Sequence, residues 1–165
     1  MFAICRKDHE KSIIIEVDLS NDDLLIYGHA DSFKEIFLNI FTNAIRYTKE
    51  KGLIKIVSQD MGDKIELSIK DSGIGIKKDD IPKVFDEFFR SENAKKEVKF
   101  GTGLGLSIVK QIVENYGGQI NVQSTPNEGT KFTIIFPKNK NINIEGHGVP
   151  WPEDLLKGGR SWQKQ

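Results

Sequence analysis

The succession of periodicities along the chain predicts an α/β two-layer sandwich, with strands on one side and helices on the other. Three observations lead there. Short β-branched or alternating apolar runs recur at 13–17, 53–58, 65–69, 120–122 and 132–136. Two longer segments, Asp31 to Thr48 and Leu104 to Tyr116, change to a helical period. Turn-forming Gly, Pro, Asn and Asp punctuate the boundaries.

Ile13 to Val17 reads as the first strand, and Leu24 to Tyr27 as a second, weaker one. In the first helix Phe33, Ile36, Phe37, Ile40, Phe41 and Ala44 share one face. Asp31 or Ser32 is expected to cap it, and Gly52 follows its end. Leu53 to Ser58 and the alternating Ile65, Leu67 and Ile69 form a hairpin around Asp60-Met-Gly-Asp63. The stretch from Asp71 to Gly105 has little period, with one helical patch predicted at Ile81 to Phe89. So long a connection inside a compact domain is functional or disordered. The second long helix carries Ile108, Val109, Ile112, Val113 and Tyr116 on one stripe, and Gly117-Gly118 stops it. Ile120 with Val122, and Phe132, Ile134 and Phe136, give two last strands around Pro126 to Gly129.

The 165 residues suit one domain, expected over 1–137, followed by an unassigned tail at 138–165 with no period. Basic and acidic residues both number 24, so no net field advertises nucleic acid or an anionic membrane. The lone Cys5 forms no internal disulfide, which fits a reducing compartment. No apolar run approaches the ~20 residues of a bilayer span, and the start lacks a signal-peptide pattern. The composition thus predicts a soluble, cytoplasmic domain and leaves membrane anchoring of the parent protein open.

Asn39 and Asn43 stand four apart, with Arg46 a turn beyond, at the edge of the apolar stripe. Amide oxygens suit a hard, hydrated cation such as Mg²⁺, and a guanidinium suits phosphate. The same arrangement also describes a solvated helix flank. Asp71-Ser-Gly-Ile-Gly75 follows a strand directly, offering a carboxylate acceptor beside backbone that a flat ring can approach. A plain glycine-rich turn with a solvated Asp is the alternative. Gly101-Thr-Gly-Leu-Gly-Leu106 opens a helix, where exposed N–H groups suit phosphate. Its spacing is neither the dinucleotide fingerprint nor the P-loop.

Taken together, these segments resemble the histidine kinase branch of the GHKL ATP-binding superfamily. Asn39 to Tyr47 looks like the N box, Asp71 to Gly75 the G1 box, Phe85-Asp-Glu-Phe-Phe-Arg90 the F box, and Gly101 to Leu106 the G2 box. Gly129-Thr130 matches the family's last conserved pair, and the resemblance runs from about residue 10 to 137. It implies a mixed, mostly antiparallel sheet of about five strands packed on about three helices. It further implies that Asn43 is the Mg²⁺ ligand, assisted by Asn39, and that Asp71 accepts from the adenine amino group. Gly73, Gly75 and Ile76 would lie against the base, Tyr47 would flank the nucleotide, and Arg46 and Arg90 would face the phosphates. Gly101, Thr102, Gly103, Leu104, Gly105 and Leu106 would cradle those phosphates, and Thr130 would support Asp71. Lys77 to Gly101 would be a mobile lid over ATP, with Phe85, Phe88 and Phe89 as core or switching residues.

In the superfamily's ATP hydrolases the helix residue four before the metal-binding Asn is a Glu that activates water. Here it is Asn39, and a carboxamide is no general base near neutral pH. The resemblance therefore implies a kinase that holds ATP until an acceptor histidine arrives. Of the three histidines, His9-Glu10 runs straight into a strand, His29 precedes the first helix, and His147 lies in the tail. The acceptor is thus expected on a separate dimerisation domain of the kinase, with a response regulator downstream and this chain a monomeric fragment. A nucleotide-responsive binding module without phosphotransfer is the competing class.

Overall fold

A computed structural model describes residues 2–8 (as backbone), 11–19, 26 and 28–138. Among them, six strands form one sheet in the order β1-β2-β3-β4-β6-β5. They are β1 (Phe2–Asp8), β2 (Lys11–Asp18), β3 (Leu53–Asp60), β4 (Lys64–Asp71), β5 (Gln119–Thr125) and β6 (Gly129–Pro137). The helices are α1 (Ala30–Tyr47), α2 (Glu92–Glu97) and α3 (Gly105–Asn115), with a single 3-10 turn at Ile81–Lys83. Only β2 and β3 pair in parallel, and α1 makes the crossover between them. The predicted sandwich is therefore present, with β1 added at one edge by antiparallel pairing to β2. The weak strand expected at Leu24 to Tyr27 lies outside the described residues, except Ile26, which packs on the core. Of the predicted tail only Lys138 is described: its N–H donates to the Asp63 carbonyl and its ammonium pairs with Asp60.

The core forms where the helix stripes meet one sheet face. Ile36, Ile40 and Ala44 of α1 and Val109 and Val113 of α3 pack on Ile13, Ile15, Ile54, Ile56, Ile69, Phe132, Ile134 and Phe136. At ~1.5–3 kcal/mol per fully buried large apolar side chain, this layer dominates stability. Phe33 ties the two helices to the sheet, stacking on Tyr116 at 5.1 Å and meeting Phe136 edge-on at 5.2 Å.

The start of α1 differs from expectation. Neither Asp31 nor Ser32 caps it; the helix begins at Ala30 after His29, which makes no side-chain cap. The Tyr116 hydroxyl instead accepts the His29 N–H at 3.1 Å, and the His29 carbonyl receives the N–H groups of Ser32 and Phe33. A long-range contact has replaced the local cap. At the other end Lys11 donates to the carbonyls of Arg46 and Thr48, a cation on the negative helix terminus.

The connection after β4 also departs from the predicted pattern. Within Ile81 to Phe89 the only helical piece is the 3-10 turn, and Phe88 takes φ +61°, a conformation no helix interior admits. The helix of this region is α2, where the Ser91 hydroxyl accepts the Ala94 N–H at 3.2 Å. It buries no residue, so it has no apolar stripe to betray it.

Candidate functional site

Between α1, the β4 end, the lid segment and the start of α3 lies a cavity of about 200 Å³. It is smaller than the ~300–1,000 Å³ usual for ligand pockets, and Phe89, Ala94 and Phe100 of the lid segment form part of its wall.

From α1 the cavity receives Asn39, Asn43, Arg46 and Tyr47, the i, i+4, i+7 and i+8 positions flanking the apolar stripe. Thr42 and Ala44 join them, and Thr42 shares the Asn39 flank at i+3 spacing, a signal legible in the sequence. Asn39 donates through Nδ2 to the Glu35 carbonyl at 3.0 Å, which turns its Oδ1 away from that carbonyl and toward Gly105.

Asp71 sits at the end of β4, 6% exposed. Both backbone bonds to its carboxylate fall on Oδ1: the Gly73 N–H at 2.8 Å and the Thr130 N–H at 3.2 Å. Oδ2 receives neither of them. Burial pushes the Asp71 carboxyl above its ordinary range, against the pull of the Gly73 and Thr130 N–H groups.

The glycines divide by task. Gly75, at φ +65°, lines the cavity; a Cβ there would meet the Thr125 carbonyl oxygen at 2.0 Å. Gly73 does not line it. A Cβ on Gly73 would meet the Tyr47 carbonyl oxygen at 2.3 Å, and the Ile74 N–H donates to that same carbonyl at 3.1 Å. Gly73 is therefore glycine because the backbone after β4 lies on the end of α1.

Gly101, Thr102, Gly103, Gly105 and Leu106 line the cavity, whereas Leu104 does not. Leu104 is the residue before α3, its N–H directed at the Thr102 hydroxyl, and its carbonyl accepts from Ile108 and Ser107. Arg90 also lines the cavity, but its guanidinium donates to the carbonyls of Ala94, Val98 and Gly101. Of the F-box aromatics, Phe89 lines the cavity and Phe85 packs edge-on against Phe132 at 6.4 Å. Phe88 is 70% exposed.

Thr130 and Ile76 complete the floor with Phe132 and Val84. Sequence reasoning missed Ser91, Ala94 and Phe100, which reach the cavity only through the path of the lid segment.

The model of the histidine kinase-, DNA gyrase B- and HSP90-like ATPases matches residues 28–140. The chain belongs to that family. This ATPase domain is 39% identical over 139 residues to the sensor histidine kinase WalK of Bacillus subtilis, covering 82% of this chain and 22% of WalK. YkoH, a sensor histidine kinase of the same organism, is 34% identical over 128 residues, covering 78% of this chain and 27% of YkoH. The chain thus spans about a quarter of the length of these curated relatives. Among solved structures, the mycobacterial sensor histidine kinase MprB superposes with TM-score 0.69 at 31% identity, over 76% of this chain and 83% of that one. The nucleotide-free catalytic domain of the histidine kinase ThkA gives 0.66 at 35% identity, over 76% and 80%. These relatives put the ATPase domain in the histidine kinase branch of its family.

Proposed function

We propose that the chain is the catalytic part of a two-component sensor histidine kinase, binding Mg-ATP and donating the γ-phosphoryl group to a histidine on a separate dimerisation domain. The observation that carries the reading is the convergence on one cavity of Asn43, Arg46, Asp71 and the glycine-rich start of α3. These elements are separated along the chain and share no core function that would bring their polar groups together.

In this reading the adenine amino group donates to Oδ2 of Asp71, with Gly75 and Ile76 against the ring and Tyr47 beside it. The backbone of Gly101 to Gly105 receives the phosphates at the α3 N-terminus. A Cβ on Gly101 would come no nearer than 3.4 Å to another residue, and that one is Arg90, so the loop has room for a ligand there. Arg46 neutralises phosphate charge, and Arg90 exchanges its lid carbonyls for phosphate oxygens. Among the described residues no group of three His, Cys, Asp or Glu could hold a metal alone. A cation would therefore take Asn43, with Asn39 assisting, and draw its other ligands from phosphates and water, as Mg²⁺ does. When bound it would neutralise charge on the transferring phosphoryl group. The residues' own work is positioning, since phosphoryl transfer asks little covalent chemistry of the protein. Asn39 offers no base to activate water, so ATP persists until the acceptor arrives.

Full-length ShkA, a structure in complex with AMPPNP, superposes with TM-score 0.66 at 26% identity, and ThkA is known in complex with a response regulator. Both support a nucleotide site here and a response regulator downstream. Among the described residues no helix is long and apolar enough to cross a membrane; a cytoplasmic placement is part of the proposed reading.

The test is titration with a non-hydrolysable ATP analogue with and without Mg²⁺, followed by phosphotransfer to an added dimerisation and acceptor domain. Metal-enhanced binding and labelling of the acceptor histidine are expected. Absence of binding would refute the site; binding without labelling any competent acceptor would leave a nucleotide-responsive module instead.

A further inference from the structure

Ser124, on β5, lies outside the cavity lining yet touches three parts of its wall. Its Oγ receives the Ile76 N–H at 2.8 Å, and it lies 2.8 Å from the Gly129 carbonyl oxygen and 2.9 Å from Oγ1 of Thr130, its cross-strand neighbour.

A serine hydroxyl has one proton and two lone pairs. The Gly129 carbonyl only accepts, so the short contact to it requires the Ser124 proton. Were that proton turned to Thr130, two oxygens would face each other at 2.8 Å with no hydrogen between them. With its proton spent on Gly129, Ser124 accepts twice: from Ile76 and from the hydroxyl of Thr130. The Thr130 proton is consequently directed at Ser124, and Oγ1 of Thr130 offers only lone pairs to the cavity.

Four neighbouring backbone donors are spent as well. The N–H groups of Gly73 and Thr130 go to Asp71, that of Ile74 to Tyr47, and that of Ile76 to Ser124. Asp71 and Thr130 both line the cavity, and the side-chain acceptors they bring to it are Oδ2 of Asp71 and Oγ1 of Thr130.

We propose that Ser124 is a positioning residue that sets nucleobase specificity: by fixing Thr130 as an acceptor it makes this corner select a 6-amino purine and reject a 6-oxo purine. The inference rests on the reading that the base lies against Asp71. An exocyclic amine has protons for both acceptors, whereas a carbonyl there would face lone pairs. Sites built for one hydrogen-bonding pattern discriminate strongly against its absence.

The experiment is calorimetric titration of the whole chain and its variants with the imido analogues of ATP and of inosine triphosphate, which differ at the 6 position and in the N1 proton that only the inosine form carries. The unaltered chain should prefer the 6-amino analogue by about 100-fold or more. Ser124→Ala frees the Thr130 hydroxyl to donate, and should narrow that preference by about tenfold, one hydrogen bond's worth. Ser124→Thr, which restores the hydroxyl, should retain it. Ser124→Cys, near-isosteric with a weak donor and acceptor, should narrow it and serves if the alanine variant unfolds. Equal weakening of both analogues in Ser124→Ala or Ser124→Cys, with the preference unchanged, would mean a purely structural role and overturn the inference. So would absence of any preference in the unaltered chain. Undiminished 6-amino binding in Asp71→Asn would instead overturn the placement of the base, and with it this inference.

Discussion

Gly105, the first residue of α3, lies so close to Asn39 of α1 that a Cβ on it would stand 2.6 Å from the Asn39 Oδ1. The obstruction is a side-chain end, free to give way at little cost. Gly105→Ala should therefore melt within about 1 kcal/mol of the parent, the clash offset by alanine's better helix propensity. It should nonetheless weaken Mg-ATP-analogue binding about tenfold if Asn39 serves the ligand as proposed, because its carboxamide is displaced. Calorimetry alongside thermal melting separates the two, and undiminished affinity would show that Asn39 does not face the ligand.

Asp71 opposes stability and ligand binding to one another. Asp71→Asn should weaken binding of the ATP analogue by ~1–3 kcal/mol, the loss of a charge-assisted bond in a buried site. The folded pKa lies above the unfolded one because burial disfavours the carboxylate. Its stabilising contribution is thus fully present below the unfolded pKa and is lost as pH rises through the raised folded value. At neutral pH the ligand-free asparagine variant should melt no lower than the parent. Binding runs the other way: affinity should fall on acidification as the raised carboxyl protonates, and Asp71→Asn should flatten that profile. A variant that melts lower, or a parent with pH-independent affinity, would contradict the assignment.

Gly75 and Gly101 provide a contrast within one cavity. Gly75→Ala forces a side chain onto a backbone at φ +65° and onto a carbonyl oxygen 2.0 Å away, so it should cost about 2 kcal/mol or more in urea unfolding. Gly101→Ala meets nothing nearer than 3.4 Å and should leave unfolding nearly unchanged while reducing nucleotide affinity. Equal stability of the two variants would sink the distinction.

Arg90 ties down the segment proposed as a lid by donating to the carbonyls of Ala94, Val98 and Gly101. Arg90→Ala should speed amide exchange from Ser91 to Gly101 about tenfold or more, since those carbonyls lose a charged donor worth ~1.5–3 kcal/mol. Exchange in β3 and β4 should be unaffected. An unaltered lid would mean that the guanidinium is not what orders it.

Much of this architecture is legible locally. The stripes of Ile36, Ile40 and Ala44 and of Val109 and Val113, and the alternation of Phe132, Ile134 and Phe136, are buried as their periods require. The hairpin at Asp60 to Asp63 closes as its residues predict, with Gly62 at φ +87° and its N–H on Asp60 Oδ1. β1 escaped notice because the run before Arg6 is too short to establish a period. α2 escaped because a helix that buries nothing has only its Ser91 cap to announce it.

The sequence by itself determined the two long helices, the strands from β2 to β6, the family motifs and the polar residues that flank the α1 stripe, because periodicity and glycine spacing act over a few residues. Only the tertiary structure decided which glycines serve the cavity and which serve packing, since Gly73 answers to Tyr47 and Gly129 to Asp71. It also decided that Arg90 rests on backbone carbonyls, and that Thr130 meets Asp71 through its backbone N–H across 59 residues of chain. Steric clearance and hydrogen-bond direction depend on atoms brought within a few ångströms by the fold, and no local pattern encodes them.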